Sequence, residues 1–248
     1  MLRTILAVAF LFGSLTFGQE PPILLRLIRE PNLRGASEIG QAFGNSRAGT
    51  NVLAASAMTG PSETVFFEIH DSYASIEDMD KAADTSRVSE KQAQFSTILL
   101  HLPGLSFRPD LAAKLLPRAR YLQISTYRIR PGSGAEFGEL MRVRRAAFDA
   151  INLDRPEIAY QVVSGGMNGS YVMIAPLTSL KTLDTGSVRN PAYASALGDS
   201  GAGFRKLSAE LELVREQQLL RIEPDLSYVS DEFAELGNGF WRPKFKVR

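Results

Sequence analysis

The strongest constraint on this chain is that it carries the same pattern twice. In the first half, Thr59-Gly60-Pro61-Ser62 separates the apolar runs Val52 to Met58 and Thr64 to Ile69. In the second, Ser164-Gly165-Gly166 to Gly169 separates Ile158 to Val163 from Ser170 to Ala175. Both read as strand, glycine turn, strand. Each hairpin leads into a helix start, Ser75-Ile76-Glu77-Asp78 in one copy and Thr178-Ser179-Leu180 in the other, and only the first has a full capping-box pattern. The copies also close alike, on Leu105-Ser106-Phe107 and on Leu226-Ser227-Tyr228.

Each copy opens with a strand-like run, Ile23 to Arg29 and Tyr121 to Arg130, followed by a helix. The clearer helix spans Ser133 to Ile151: Pro131-Gly132 turns the chain, Ser133 and Glu136 form a capping box, and Phe137, Leu140, Met141, Phe148 and Ile151 share one face. Its counterpart runs from Ser37 to Phe43. A further helix is expected after each hairpin unit, over Ser89 to Leu100 and over Phe204 to Leu220, where Phe204, Leu207, Leu211 and Val214 keep helical spacing. The expected class is α+β: two fused ferredoxin-like repeats, residues 19–118 and 119–230, forming an intrachain α/β barrel, with 231–248 as a C-terminal tail. One such unit alone would leave a sheet face bare, whereas two in one chain cover both.

This pattern resembles the dimeric α/β-barrel superfamily, especially its NIPSNAP-like and antibiotic-biosynthesis-monooxygenase-like branches, with both halves in tandem. Tyr160-Gln161-Val162-Val163-Ser164-Gly165, Leu226-Ser227-Tyr228-Val229-Ser230 and Phe240-Trp241-Arg242-Pro243 resemble stretches of uncharacterised exported bacterial proteins. The resemblance covers most of the chain and implies a fold rather than a reaction. Cofactor-independent monooxygenases of the superfamily hold an oxidisable substrate with polar cavity groups, and its haem-binding members use a proximal histidine.

Met1 to Gly18 carries Arg3, an apolar run Ile5 to Phe12, and then small and polar residues, the order of a signal peptide. Residues 1–18 are therefore expected to direct export to a periplasm or the exterior. The run is shorter than the roughly 20 residues a bilayer span needs, so no integral membrane association is expected. With no cysteine, the fold has neither a disulfide nor a thiolate metal site, and two histidines rule out chemistry built on several. A formal charge of +1 recruits no nucleic acid. Arg142, Arg144 and Arg145 read as a solvated helix face, and Arg242 to Arg248 as a basic tail.

The expected partners are a small-molecule ligand and a second copy of the chain, without cofactor or metal. In the strand Thr64 to His70, Val65, Phe67 and Ile69 point one way and Phe66, Glu68 and His70 the other. If the first set meets the helices, Glu68 and His70 face a cavity between the sheets, where they could share a proton or hold a polar ligand. Tyr127, Tyr160 and Tyr171 could line the same cavity and donate hydrogen bonds from an apolar wall. His101, whose counterpart is Arg221, is expected to cap a helix end rather than to ligate haem. No catalytic set is assigned. The leading reading is a noncatalytic small-molecule-binding or interaction protein, and the alternative is a cofactor-independent monooxygenase-like enzyme.

Overall fold

Glycine turns and apolar runs fold where their spacing predicts hairpins, in a computed structural model that describes residues 20–45, 51–83, 96–185 and 191–241. The signal-like segment 1–18, the stretch 89–95 of the expected helix and the basic end 242–248 lie outside the described residues. The first half runs β1 (Leu24–Glu30), α1 (Leu33–Asn45), β2 (Val52–Ala57), β3 (Thr64–His70), α2 (Tyr73–Ala83) and β4 (Ser96–His101). After α3 (Pro109–Leu115), the second half runs β5 (Tyr121–Ile129), α4 (Gly134–Ala150), β6 (Ile158–Ser164) and β7 (Ser170–Leu177). It continues through α5 (Lys181–Thr185), α6 (Pro191–Leu197), α7 (Ser200–Leu211) and β8 (Glu212–Ile222), and α8 (Asp231–Leu236) follows.

The eight strands form a closed antiparallel barrel in the order β1-β3-β2-β8-β5-β7-β6-β4. Within each half the order is fourth, first, third, second. The fourth strand of one half always pairs with the second strand of the other: β8 with β2 through Ala55↔Ile222, and β4 with β6 through His101↔Tyr160. Because closure leaves both sheet faces covered, inside by the opposite strands and outside by helices, β3 is buried at every residue rather than at alternate ones.

Two helix expectations are overturned. Ser96–His101 is a strand, and the helix beginning near Phe204 ends at Leu211, where the chain turns extended as β8. Val214 continued the helical spacing by coincidence. Leu220 and Ile222 alternate into the barrel instead, and the hydrogen bonds that β8 makes to β5 and β2 complete the sheet. The capping boxes are also displaced. Ser133 makes no side-chain cap bond, and α2 starts at Tyr73, with the Ser75 N–H donating to Ser72 Oγ at 3.2 Å.

The interior core joins Leu25, Leu27, Leu53, Phe67, Leu122, Ile174 and Leu220. One barrel mouth is shut by Phe233 and Trp241, whose Nε1–H donates to Pro117 O at 2.6 Å. Phe233 and Trp241 thus anchor the stretch 231–241 to the core. Among the described residues no helix is long and apolar enough to cross a membrane.

Candidate functional site

The barrel interior is not a ligand cavity. The void inside it is about 20 Å³, room for about one water, and is walled by side chains such as Leu25, Leu53, Phe67 and Ile174. Val65, Phe67 and Ile69 belong to this interior, so the condition under which Glu68 and His70 would face a cavity between the sheets is not met. Glu68 and His70 point outward, sealed beneath α2 at 0% and 1% exposure. The pleat separates the two sets correctly, but both faces are buried, so alternation alone cannot say which set meets the barrel.

Glu68 and His70 are nonetheless joined, His70 Nε2 lying 3.1 Å from Glu68 Oε2. Arg26 Nε donates to the same oxygen at 2.7 Å and reaches Asp80 through Nη1 at 2.6 Å. The three tyrosines do not converge. Tyr160 lies inside the barrel, its hydroxyl donating to Pro22 O at 3.3 Å, and burial pushes its pKa far up. Tyr127 and Tyr171 lie on the outer face and sandwich Phe137 of α4, with ring centroids 5.6 and 4.6 Å away. His101 ends a strand rather than capping a helix. Its ring packs 5.6 Å from that of Tyr160, and Nε2 lies 3.2 Å from Ser106 Oγ.

An open cleft of about 480 Å³ lies elsewhere, between α6, α7 and the start of β8. That volume suits a small organic ligand. Tyr193, Leu197 and Phe204 give it an apolar wall, while Arg205, Ser208, Glu212 and Arg215 supply polar groups. The α7–β8 junction builds it: the helix stops at Leu211, and the extended chain carries Arg215 back over the Tyr127 ring, 5.2 Å from its centroid.

Behind this wall lies a buried charged cluster that the sequence reading missed. Tyr193 packs at a tilt against Phe148, ring centroids 5.4 Å apart, and the Arg144 guanidinium lies 4.5 Å over the Phe148 ring. Arg144 pairs with Glu157 at 2.8 Å, and Arg155 approaches the same carboxylate only to 3.8 Å. Arg144 is buried rather than part of a solvated basic face. A signal for this existed, since 144 falls on the helical stripe of Phe137, Leu140, Met141 and Phe148.

Two guanidiniums therefore share one carboxylate out of water, and Arg155 Nε has no hydrogen-bond partner. Burial depresses the pKa of Arg155, Glu157 offsets this only in part, and the charges of Arg144 and Arg215 push it lower still. Burial would depress Arg144 as well, but Glu157 beside it holds its pKa above the ordinary value. Burial raises Tyr193 against the opposing pull of Arg144 and Arg215. The arrangement carries surplus positive charge beside an apolar-walled cleft, which suits an anion.

No family model matches the chain, and no curated protein matches it. Solved structures share its fold. An anthrone oxidase-like protein superposes with a TM-score of 0.52 at 10% identity, covering 81% of this chain and 90% of that one. A putative monooxygenase from Lactobacillus acidophilus gives 0.47 at 7% identity, over 82% and 94%. A heme-binding protein from Thermus thermophilus gives 0.48 at 10% identity, over 87% and 97%. The likeness is one of architecture alone, an α+β fold with an antiparallel sheet. Neither of the chain's two histidines lines the cleft, so its residues do not fit a histidine-ligated haem.

Proposed function

We propose that the cleft between α6, α7 and β8 is a noncatalytic binding site for a small organic anion, a carboxylate on an apolar body. The observation that carries the reading is the surplus buried charge: Arg144 and Arg155 share Glu157, and Arg155 Nε is left without an acceptor. An incoming carboxylate meets Arg205 and Arg215 at the wall, with the surplus positive charge of the buried cluster behind it, while Tyr193, Leu197 and Phe204 cover the apolar part. Tyr127 contributes by supporting Arg215. Glu68, His70, Tyr160 and Tyr171 do not line this cleft and are not part of the proposed binding site.

Two further readings accompany it. Export of the chain is supported by the signal-like order of residues 1–18. A tandem origin from one ferredoxin-like unit is supported by the strand order repeated in each half and by the reciprocal β2–β8 and β4–β6 pairings. The oxygenase alternative draws only on the likeness of fold, which carries architecture rather than chemistry.

Titration calorimetry with aromatic and aliphatic carboxylates, each beside its neutral amide, tests the binding. The acids should bind and the amides should not, and Arg215→Met should weaken the acid by about tenfold or more. Equal binding of acid and amide would sink the reading.

A further inference from the structure

The cluster beneath α2 holds more than a staple between helix and sheet. Ser75 Oγ lies 3.2 Å from His70 Nδ1, and the other ring nitrogen of His70 lies 3.1 Å from Glu68 Oε2. Arg26 and, beyond it, Asp80 fix the glutamate. A hydroxyl, an imidazole and an oriented carboxylate thus stand in series, the arrangement that activates a serine. Here Nδ1 rather than Nε2 faces the serine, and the imidazole relays a proton through either nitrogen.

Two observations separate this series from a purely structural network. Glu68 Oε1 is buried without a hydrogen-bond partner, whereas a carboxylate buried only to pin a helix is ordinarily satisfied on both oxygens. Accessibility is also graded: Glu68 and His70 are sealed, Ser75 is half-buried, and Ser72, Tyr73 and Ala74 beside it are exposed. The reacting end of the series is therefore the end that meets solvent.

The geometry points to Ser75 as a nucleophilic serine acting on small acyl esters, with His70 as its base and Glu68 as the positioning residue. Its hydroxyl has two acceptors in reach, His70 Nδ1 and the Ser72 carbonyl at 2.8 Å, and the reaction starts when it turns to the histidine. Oγ then bonds to the ester carbonyl carbon and its proton passes to His70 Nδ1. The carbon–alkoxide bond breaks and the departing oxygen takes that proton. Water, deprotonated by His70, cleaves the acyl-serine, releasing the acid and restoring Ser75, so ester plus water gives acid plus alcohol. The leading amides of α2, at Tyr73 and Ala74, precede Ser75 in the first turn and would serve as donors to the oxyanion.

A fluorophosphonate probe, read by intact mass and peptide mapping, tests the assignment independently of the cleft between α6, α7 and β8. One adduct per chain is expected at Ser75, absent in Ser75→Ala and slowed about a hundredfold or more in His70→Gln. p-Nitrophenyl acetate turnover should fall in parallel. Because His70→Gln removes a buried partner, the wild-type chain unfolded in urea is the second arm, and there the Ser75 adduct should vanish. Absence of the adduct from native protein, its persistence in urea, or an unchanged rate in a folded His70→Gln would each overturn the proposal.

Discussion

Arg144 and Glu157 are joined by a 2.8 Å ion pair in which neither side chain is more than 10% exposed. The pair ties α4 to the approach of β6, and its strength depends on both charges being present. Arg144→Met should cost about 3 kcal/mol, the low end for breaking a buried pair, because Arg155 remains near the orphaned carboxylate. Urea denaturation would measure it, and a neutral result would mean that Glu157 is already satisfied by other groups.

Phe148 sits 5% exposed on the buried stripe of α4, edge-on to Phe107 and tilted against Tyr193. Phe148→Ala should destabilise the fold by roughly 3 to 5 kcal/mol. It should also loosen the cleft wall, so ligand affinity is expected to fall with stability when both are followed by calorimetry.

Gly165 turns the β6–β7 hairpin with φ at +74°, and a Cβ there would lie 2.0 Å from Ser96 O on the neighbouring strand. Gly165→Ala is expected to lose at least about 1 to 3 kcal/mol from the backbone conformation alone, with the clash added. Gly104→Ala, which meets nothing within 4 Å and has no positive φ, is the control that should melt within a few degrees of the parent.

Burial lowers the pKa of His101 from its ordinary value of 6.5. The unfolded chain therefore binds the proton more readily, so the stability contributed by neutral His101 is complete above pH 6.5 and declines as pH falls toward the lower folded value. Chemical denaturation across the range from about pH 7.5 to about pH 5 should show this decline, and His101→Gln should flatten it. A slope unchanged by the substitution would assign the decline to other groups.

Glu68→Gln combined with His70→Gln should be costly rather than silent. Both side chains are sealed, and Arg26 loses its buried partner while the exposed Asp80 remains. A loss of about 3 kcal/mol is expected, visible as a lower melting temperature, with binding in the cleft between α6, α7 and β8 unchanged in the protein that stays folded.

Much of the local structure was legible. The hairpins at Gly60 and Gly165 fall where turn chemistry puts them, and α4 occupies the stripe of Phe137, Leu140, Met141 and Phe148. The site was less so. Glu68 and His70 drew attention as polar breaks in an apolar strand and are in contact, but beneath a helix. Arg144 was read as solvated because it stands beside Arg142 and Arg145, although its helical phase matches the buried face. Arg155 offered no such phase, since it lies in the loop before β6.

The sequence alone determined what depends on a few neighbouring residues: glycine turns, apolar alternation, the α4 stripe and a duplicated order of elements. Those features follow from backbone sterics and side-chain period, which act over one or two turns of chain. Only the tertiary structure decided that 212–222 is a strand, which side of β3 faces inward, and that Arg144, Arg155 and Glu157 gather behind a cleft that Arg215 lines. A strand that completes a barrel is stabilised by hydrogen bonds to partners far along the chain, and when both faces of a sheet are covered, period two carries no record of which side is inside.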